Sequence, residues 1–304
     1  MNRRDRRFDL SMPGARAAEA LMQFWPMAMV IALCLLLGSS GVVSAKRVRT
    51  TPCGSTISSC GCTMEVGGLY TVTADLSASQ GLTSRGACLD INDSNTTLNL
   101  KKFAVTGSGT GIGIHILAGA YSVTVVGSQC CATISGWNIG LQDDEDKADI
   151  AFIDVESSVT SGILLSGVIN SQLWEVQSNG NGGAGVLIMG KPDNHIFHSS
   201  FAHNQYGVSL QGSSRNRIET STADANVDGI LVGASSRNNH ILSCDTNSNS
   251  GVGILVSSGS TKNVFGYNHA VSNGNIDVED DNSGCDSNIW FADTFGTVSQ
   301  NCIQ

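Results

Sequence analysis

The chain has 304 residues, of which 14% are charged and 6% aromatic, with 35 glycines and a formal net charge of −9, a balance that disfavours nucleic-acid binding. Apolar residues are nevertheless regularly spaced, which separates the sequence from disordered polymers and favours many short strands joined by tight turns.

The first 45 residues read as a targeting leader outside the fold. Arg3, Arg4, Arg6 and Arg7 make a basic start, residues 25–37 are almost wholly apolar, and Val43-Ser44-Ala45 offers small residues for cleavage after Ala45. If the leader stayed uncleaved, its apolar stretch would serve as a membrane anchor; a lipid anchor at Cys34 is disfavoured by bulky Leu33. Without the leader, 12 Lys and Arg stand against 23 Asp and Glu in 259 residues, a net charge near −11.

Nine cysteines follow the leader: Cys53, Cys60, Cys62, Cys88, Cys130, Cys131, Cys244, Cys285 and Cys302. Their clustering at the two ends predicts disulfides that tether terminal caps, with Cys285 to Cys302 the first pair expected and Cys53 and Cys88 further candidates. The odd count leaves at least one thiol free. A zinc site from Cys53, Cys60 and Cys62 is disfavoured, because CxC lacks the usual two-residue spacer and no histidine is near.

Residues 46–110 read as entry strands and an N-terminal cap, carried by GGLYTVTADL, CLDI and NTTLNL. Over residues 111–282 a glycine followed by alternating aliphatics recurs, beginning at Gly113, Gly140, Gly162, Gly185, Gly207, Gly229 and Gly253, with Asn275-Ile-Asp-Val taken as the last member; the intervals run from 22 to 27 residues. Inside them lies an eleven-residue block with an Asn end, at 171–181, 194–204, 216–226, 239–249 and 263–273, whose third position is Leu173, Ile196, Ile218, Ile241 or Phe265. Alternation over four or five residues predicts strands, and each interval is too short for a βαβ crossover or a propeller blade. The expected fold is all-β, a parallel solenoid of about eight or more turns that stack about 4.8 Å apart. Ile163, Val186, Val208, Ile230 and Ile254 should form one inward column. Asn204, Asn226, Asn249 and Asn273 should form an amide ladder, and glycines and asparagines should take positive φ at the corners. Residues 283–304 read as a C-terminal cap.

The entry segment, the N-x-I…N…G-[IV]-x-[LV] turns and the closing CDSNIWFADTFGT…C resemble bacterial secreted right-handed parallel β-helix repeat proteins of the pectate-lyase-like superfamily, over roughly residues 53–302. That superfamily includes polysaccharide lyases, polygalacturonases, alginate C5-epimerases and periplasmic proteins of nitrous oxide reductase copper-site assembly. The resemblance implies a right-handed single-stranded helix and leaves the activity open.

Catalytic signatures are sparse. NTD, GHG, RIK and DPHD do not occur, and Asp143-Asp144 and Asp280-Asp281 are the adjacent Asp pairs. The run from Asp143 through Asp144 and Glu145 to Asp146 is expected as a solvated loop, and Asp277 and Glu279 as outward edge charges. His195 and His240 stand two turns apart with Arg217 between them, too far to share an ion, and His198 and His203 fall on different parts of one turn. No cofactor is expected, with calcium left open and copper only under the assembly-factor alternative. The outward position of the glycine-led strand carries Leu164, Leu187, Leu231 and Leu255, an apolar ribbon suited to a partner surface. The leading expectation is a secreted or envelope-associated module that binds a polysaccharide or protein surface without catalysis, with membrane contact only through an uncleaved leader. The alternatives are a diverged lyase, epimerase or hydrolase using Glu219, Asp224, Asp245, Asp277 or Glu279, and a periplasmic metal-site assembly factor using the histidines.

Overall fold

The computed structural model describes residues 51–128, 132–233 and 235–303; the expected leader and Cys130 and Cys131 lie outside the described residues. Apart from two single 3-10 turns, Ala78–Gln80 and Ser283–Cys285, the regular elements are short strands, and each coil of chain contributes one strand to each of up to three faces. The glycine-led strands form a parallel sheet of ten, from Cys62–Met64 to Ile276–Asp280, and the Asn-bounded blocks lie in a second of eleven, from Thr56–Ile57 to Ile289–Phe291. A third face starts as five paired strands and continues through single bridges Gln177–Ser200–Thr222–Asp245–His269. The coil therefore has about ten turns, because the segment read as entry strands already supplies rungs to both large sheets.

Strand alternation explains the core. Ile114, Leu141, Ile163, Val186, Val208, Ile230, Ile254 and Val278 are in direct register and buried. On the second sheet Ile150, Leu173, Ile196, Ile218, Ile241, Phe265 and Trp290 do the same, ending in a stacked Phe265–Trp290 pair with ring centroids 3.8 Å apart. Each such side chain removed from water contributes roughly 1.5–3 kcal/mol, and stacking makes the contribution repeat turn by turn.

The expected amide ladder is present, and it is one of three. Asn181, Asn204, Asn226, Asn249 and Asn273 form the first, each backbone N–H donating to the Oδ1 of the next turn's asparagine. Asn194, Asn216, Asn239, Asn263 and Asn288 form the second, and serines, Cys244 and Asn268 a third. All three run the same way and end on a carboxylate: Asn273 donates to Asp277, Asn288 to Asp280 and Asn268 to Asp293. An amide that accepts must still place its own NH₂, whereas a carboxylate only accepts and can close the series.

Two expectations about backbone are corrected. None of the seven repeat glycines has positive φ. They are required by close approach instead: a Cβ on Gly185 would sit 2.7 Å from the Gly207 carbonyl oxygen and 2.9 Å from Asn204 Nδ2. Nor do the ladder asparagines take the left-handed region; the residue before each does, as at His203, Ala225, Ser248 and Ser272. At a further corner, β-branched Thr220 has φ 48°. Since its backbone N–H bonds Leu242 O and its side chain is exposed, Thr220→Gly is expected to raise stability by about 0.5–1 kcal/mol in urea unfolding, and a loss would contradict the strain.

The last turn is also corrected. Ile254 pairs with Val278 and Leu255 with Glu279, so Asp277, not Asn275, stands opposite Gly253. A slip of two residues preserves the inward-outward parity, so nothing in the hydrophobic pattern distinguishes the two registers.

The caps are tied as expected. Cys285 pairs with Cys302, Cys53 with Cys62, and Cys60 with Cys88 across the first two rungs of the glycine-led sheet, which leaves no thiolate for a zinc site there. Cys244 is the free cysteine among the described residues; it is buried, and burial pushes its thiol up to about 12.

Candidate functional sites on two outer faces

The outer column of the glycine-led sheet reads Asp90, His115, Gln142, Leu164, Leu187, Ser209, Leu231, Leu255 and Glu279. Its leucines cover one another: Leu164 lies beside Leu187 and Leu231 beside Leu255, and Leu231 is only 7% exposed. The ribbon is thus a half-buried seam. Beside Leu187 it opens into a groove of about 400 Å³, floored by Gly182 and Gly183 and walled by Val159, Tyr206 and Gln211.

At the other end of this column three turns bring together a polar cluster that sequence reasoning missed. His115 Nε2 lies 2.8 Å from Asp144 Oδ2, and His115 Nδ1 lies 3.7 Å from Asp90 Oδ1. Arg85 donates to the other Asp90 oxygen at 3.4 Å, and Gln142 donates to both oxygens of Asp144. Burial alone would raise the Asp144 carboxyl, but the bonds from His115 and Gln142 outweigh it and hold Asp144 below its usual range. Asp90 is fully buried and only 11% of the His115 side chain meets solvent, so access is through Arg85 and Asp144 at the rim. The signal available in the sequence was three polar residues at the same outward offset in consecutive turns.

The acidic run that includes Asp144 is not the solvated loop expected. Asp143 occupies the inward position of Ile116 and Leu165, is wholly buried, and accepts hydrogen bonds from Ser171 Oγ and the Glu145 N–H. Burial is the main cause that pushes its carboxyl up to about 7. Glu145 accepts from the Gly119 N–H and Asp146 from the Ile169 N–H, so each acid ties this turn to a neighbour.

The outer face of the second sheet differs. Here Ala151, Trp174, Phe197 and Glu219 are in register, and Phe152 follows Ala151 at a left-handed corner. Phe152 meets Trp174 edge-on with centroids 4.7 Å apart, Trp174 stacks over Phe197 at 6.1 Å and 14°, and His195 and His198 flank Phe197. Trp174 is 38% exposed. Together with Thr124, Asp149 and Gln172 these rings line a groove of about 360 Å³. Beyond Phe197 the face turns polar: Glu219 is held by Arg217 and by His195 Nε2 at 2.9 Å. Despite burial, these two bonds leave the Glu219 carboxyl below its usual range. Further on, Tyr267 and Phe291 form a second exposed aromatic pair.

Residues 139–301, more than half of the chain, match the family described as the right handed beta helix region. The chain belongs to the right-handed β-helix family. Among solved structures, this β-helix resembles the periplasmic alginate epimerase AlgG, with 14% identity and a TM-score of 0.55 over 76% of this chain and 75% of that one. It also resembles the A-module of the Azotobacter vinelandii mannuronan C-5 epimerase AlgE6, with 14% identity and a TM-score of 0.60 over 80% and 74% of the two chains. These likenesses are of fold. Comparison with curated protein sequences gives no match.

The β-helix scatters the acids singled out from sequence. Glu219 faces outward on the second sheet, Asp245 lies on the third face 3.9 Å from His269, and Asp224 sits at a corner accepting from the Asn247 N–H. They occupy three separate columns and share no groove. Asp277 does not face outward: it is 4% exposed and accepts from Asn273, Gly296 and Thr297, and these bonds outweigh burial to hold its carboxyl low. Glu279 takes the outward place that Asp277 was expected to fill, and burial with nearby Asp281 and Asp228 raises its carboxyl. Among the described residues no group of three or more His, Cys, Asp or Glu side chains is placed to hold a metal ion, and no helix is long and apolar enough to cross a membrane.

Proposed function

We propose that this β-helix is a secreted or envelope-associated polysaccharide-binding protein whose ligand lies along the outer face of the second sheet. The observation that carries the reading is the run of Phe152, Trp174 and Phe197 on successive turns, with Trp174 exposed, the two phenylalanines half-buried beside it and hydrogen-bonding side chains at the border. Flat apolar rings offer stacking area to the C–H faces of pyranoses, and polar neighbours meet the hydroxyls. The rungs repeat about every 4.8 Å, a spacing comparable with one sugar of an extended chain. The three disulfides among the described residues fit an oxidising compartment outside the cytoplasm, where polysaccharides are found. The fold likeness to alginate epimerases supports a carbohydrate role without specifying one.

Affinity electrophoresis through gels containing neutral and acidic polysaccharides tests the reading. At least one polymer is expected to retard the protein, and Trp174→Ala is expected to remove the retardation while the thermal melt stays put. Equal mobility in every gel would sink the proposal. Release of new reducing ends or unsaturated products from the same panel, lost on His115→Ala, would instead favour catalysis at the Arg85–Asp90–His115–Asp144 cluster.

A further inference from the structure

We infer that the glycan taken by the aromatic face is neutral, an uncharged hexose or N-acetylhexosamine polymer and not a polyuronate; the inference rests on the binding reading above. Three observations carry it. The groove around Trp174 is lined by one carboxylate, Asp149, and by no basic side chain; its other polar groups are the neutral Gln172 and Thr124. Asp149 is in direct register with Gln172, one turn below the indole, and its carboxyl is raised by burial with no cation among the causes.

Three of the basic side chains bordering the aromatic rungs are already engaged, and Lys101 and Lys102, one turn before Thr124 on the same sheet, line a separate groove with Asn99 and Phe103. Arg217 and His195 both contact Glu219, and Arg215 is held by Asp193 through two hydrogen bonds, at 2.9 and 3.0 Å. Lys147 and Lys191 lie on connecting corners outside the groove lining. Exposed Glu175, which follows Trp174 at a corner, likewise lies outside the lining. A uronate laid over the rings would bring one carboxylate per sugar against Asp149, within a protein of formal charge −9. A uronate site recognises its ligand by Arg or Lys forks or by a bridging cation, and the lining supplies neither set of groups. For a neutral chain the same surface is complementary: rings for the sugar faces, an amide, a hydroxyl and a carboxylate acceptor for the hydroxyls.

Titration of the full protein by tryptophan fluorescence and calorimetry, with cello-, manno-, laminari- and chito-hexasaccharides against mannuronate, guluronate and galacturonate hexasaccharides, decides the matter. At least one neutral series is expected to bind, to perturb the Trp174 emission and to weaken at least tenfold in Trp174→Ala and in Phe197→Ala. The uronates are expected to bind at least tenfold more weakly than that series, with no rescue by calcium. Tighter, Trp174-dependent binding of a uronate would overturn the inference and leave the binding reading standing. No binding by any member of the panel would remove both.

Discussion

Replacing Asn239 by leucine is expected to lower the unfolding free energy by about 4 kcal/mol, the cost of leaving several buried polar groups unpaired at roughly 1–3 kcal/mol each. Asn239 sits mid-ladder and is fully buried. Its Oδ1 accepts from the N–H and from Nδ2 of Asn216 at 2.9 and 3.0 Å, and its own Nδ2 donates to Ser213 O and to Asn263 Oδ1, both at 3.0 Å. Leucine keeps the branching of asparagine but its methyls are bulkier than the amide, so overpacking adds to the loss of hydrogen bonds. Urea unfolding would report it as a lower midpoint; a change below 1 kcal/mol would mean that water or a repacked corner replaces the ladder. Because each turn contacts chiefly its neighbours, the transition is also expected to lose cooperativity and separate the rungs on either side.

Asp143→Asn is expected to remove most of the pH dependence of stability between about pH 4 and pH 7. The carboxyl is raised from 3.8 to about 7, with burial the largest cause and the like charges of Asp144 and Glu145 adding to it. Its folded value lies above its unfolded one, so the stability contributed by the protonated form is fully present below about 3.8 and is lost as pH rises through about 7. A shift of about three units corresponds to about 4 kcal/mol at its limit. Asparagine reproduces the protonated geometry: its oxygen can accept from the Glu145 N–H while its NH₂ faces Ser171 Oγ. The melting temperature of the native protein should therefore fall more steeply across this window than that of the variant, in which Asp149, Glu279 and Asp293, also raised by burial, keep a smaller slope. Parallel curves for the two proteins would show that Asp143 does not titrate there. Asp144 and Asp277, with lowered carboxyls, oppose this trend at the acid end, where their bonds are lost on protonation.

Much of the fold was legible in the sequence because the solenoid repeats its instructions. Ile163 to Ile254 and the asparagines from Asn204 to Asn273 recur at nearly constant spacing, and each recurrence marks the same place in the coil. What escaped lies where parity or locality hides the answer. Asp277 and Asn275 differ by two residues, which alternation cannot separate. Asp143 looks like the start of a hydrophilic loop, yet its strand parity points it inward. The His115 cluster draws Asp90, His115 and Asp144 from three turns, 25 and 29 residues apart, and the Phe152–Trp174–Phe197 run likewise comes one ring per turn. Such sites have no motif; they become visible only once the register is known.

The common direction of the three side-chain ladders bears on how such a chain can change length. Each internal turn receives donors from the turn before and offers them to the next, so duplicating residues 216–238 would insert a rung whose two boundaries match in kind. Beyond Asp277, Asp280 and Asp293 the same insertion would meet carboxylates with no proton to pass on. Growth by duplication is therefore permitted in the interior and refused at one terminus.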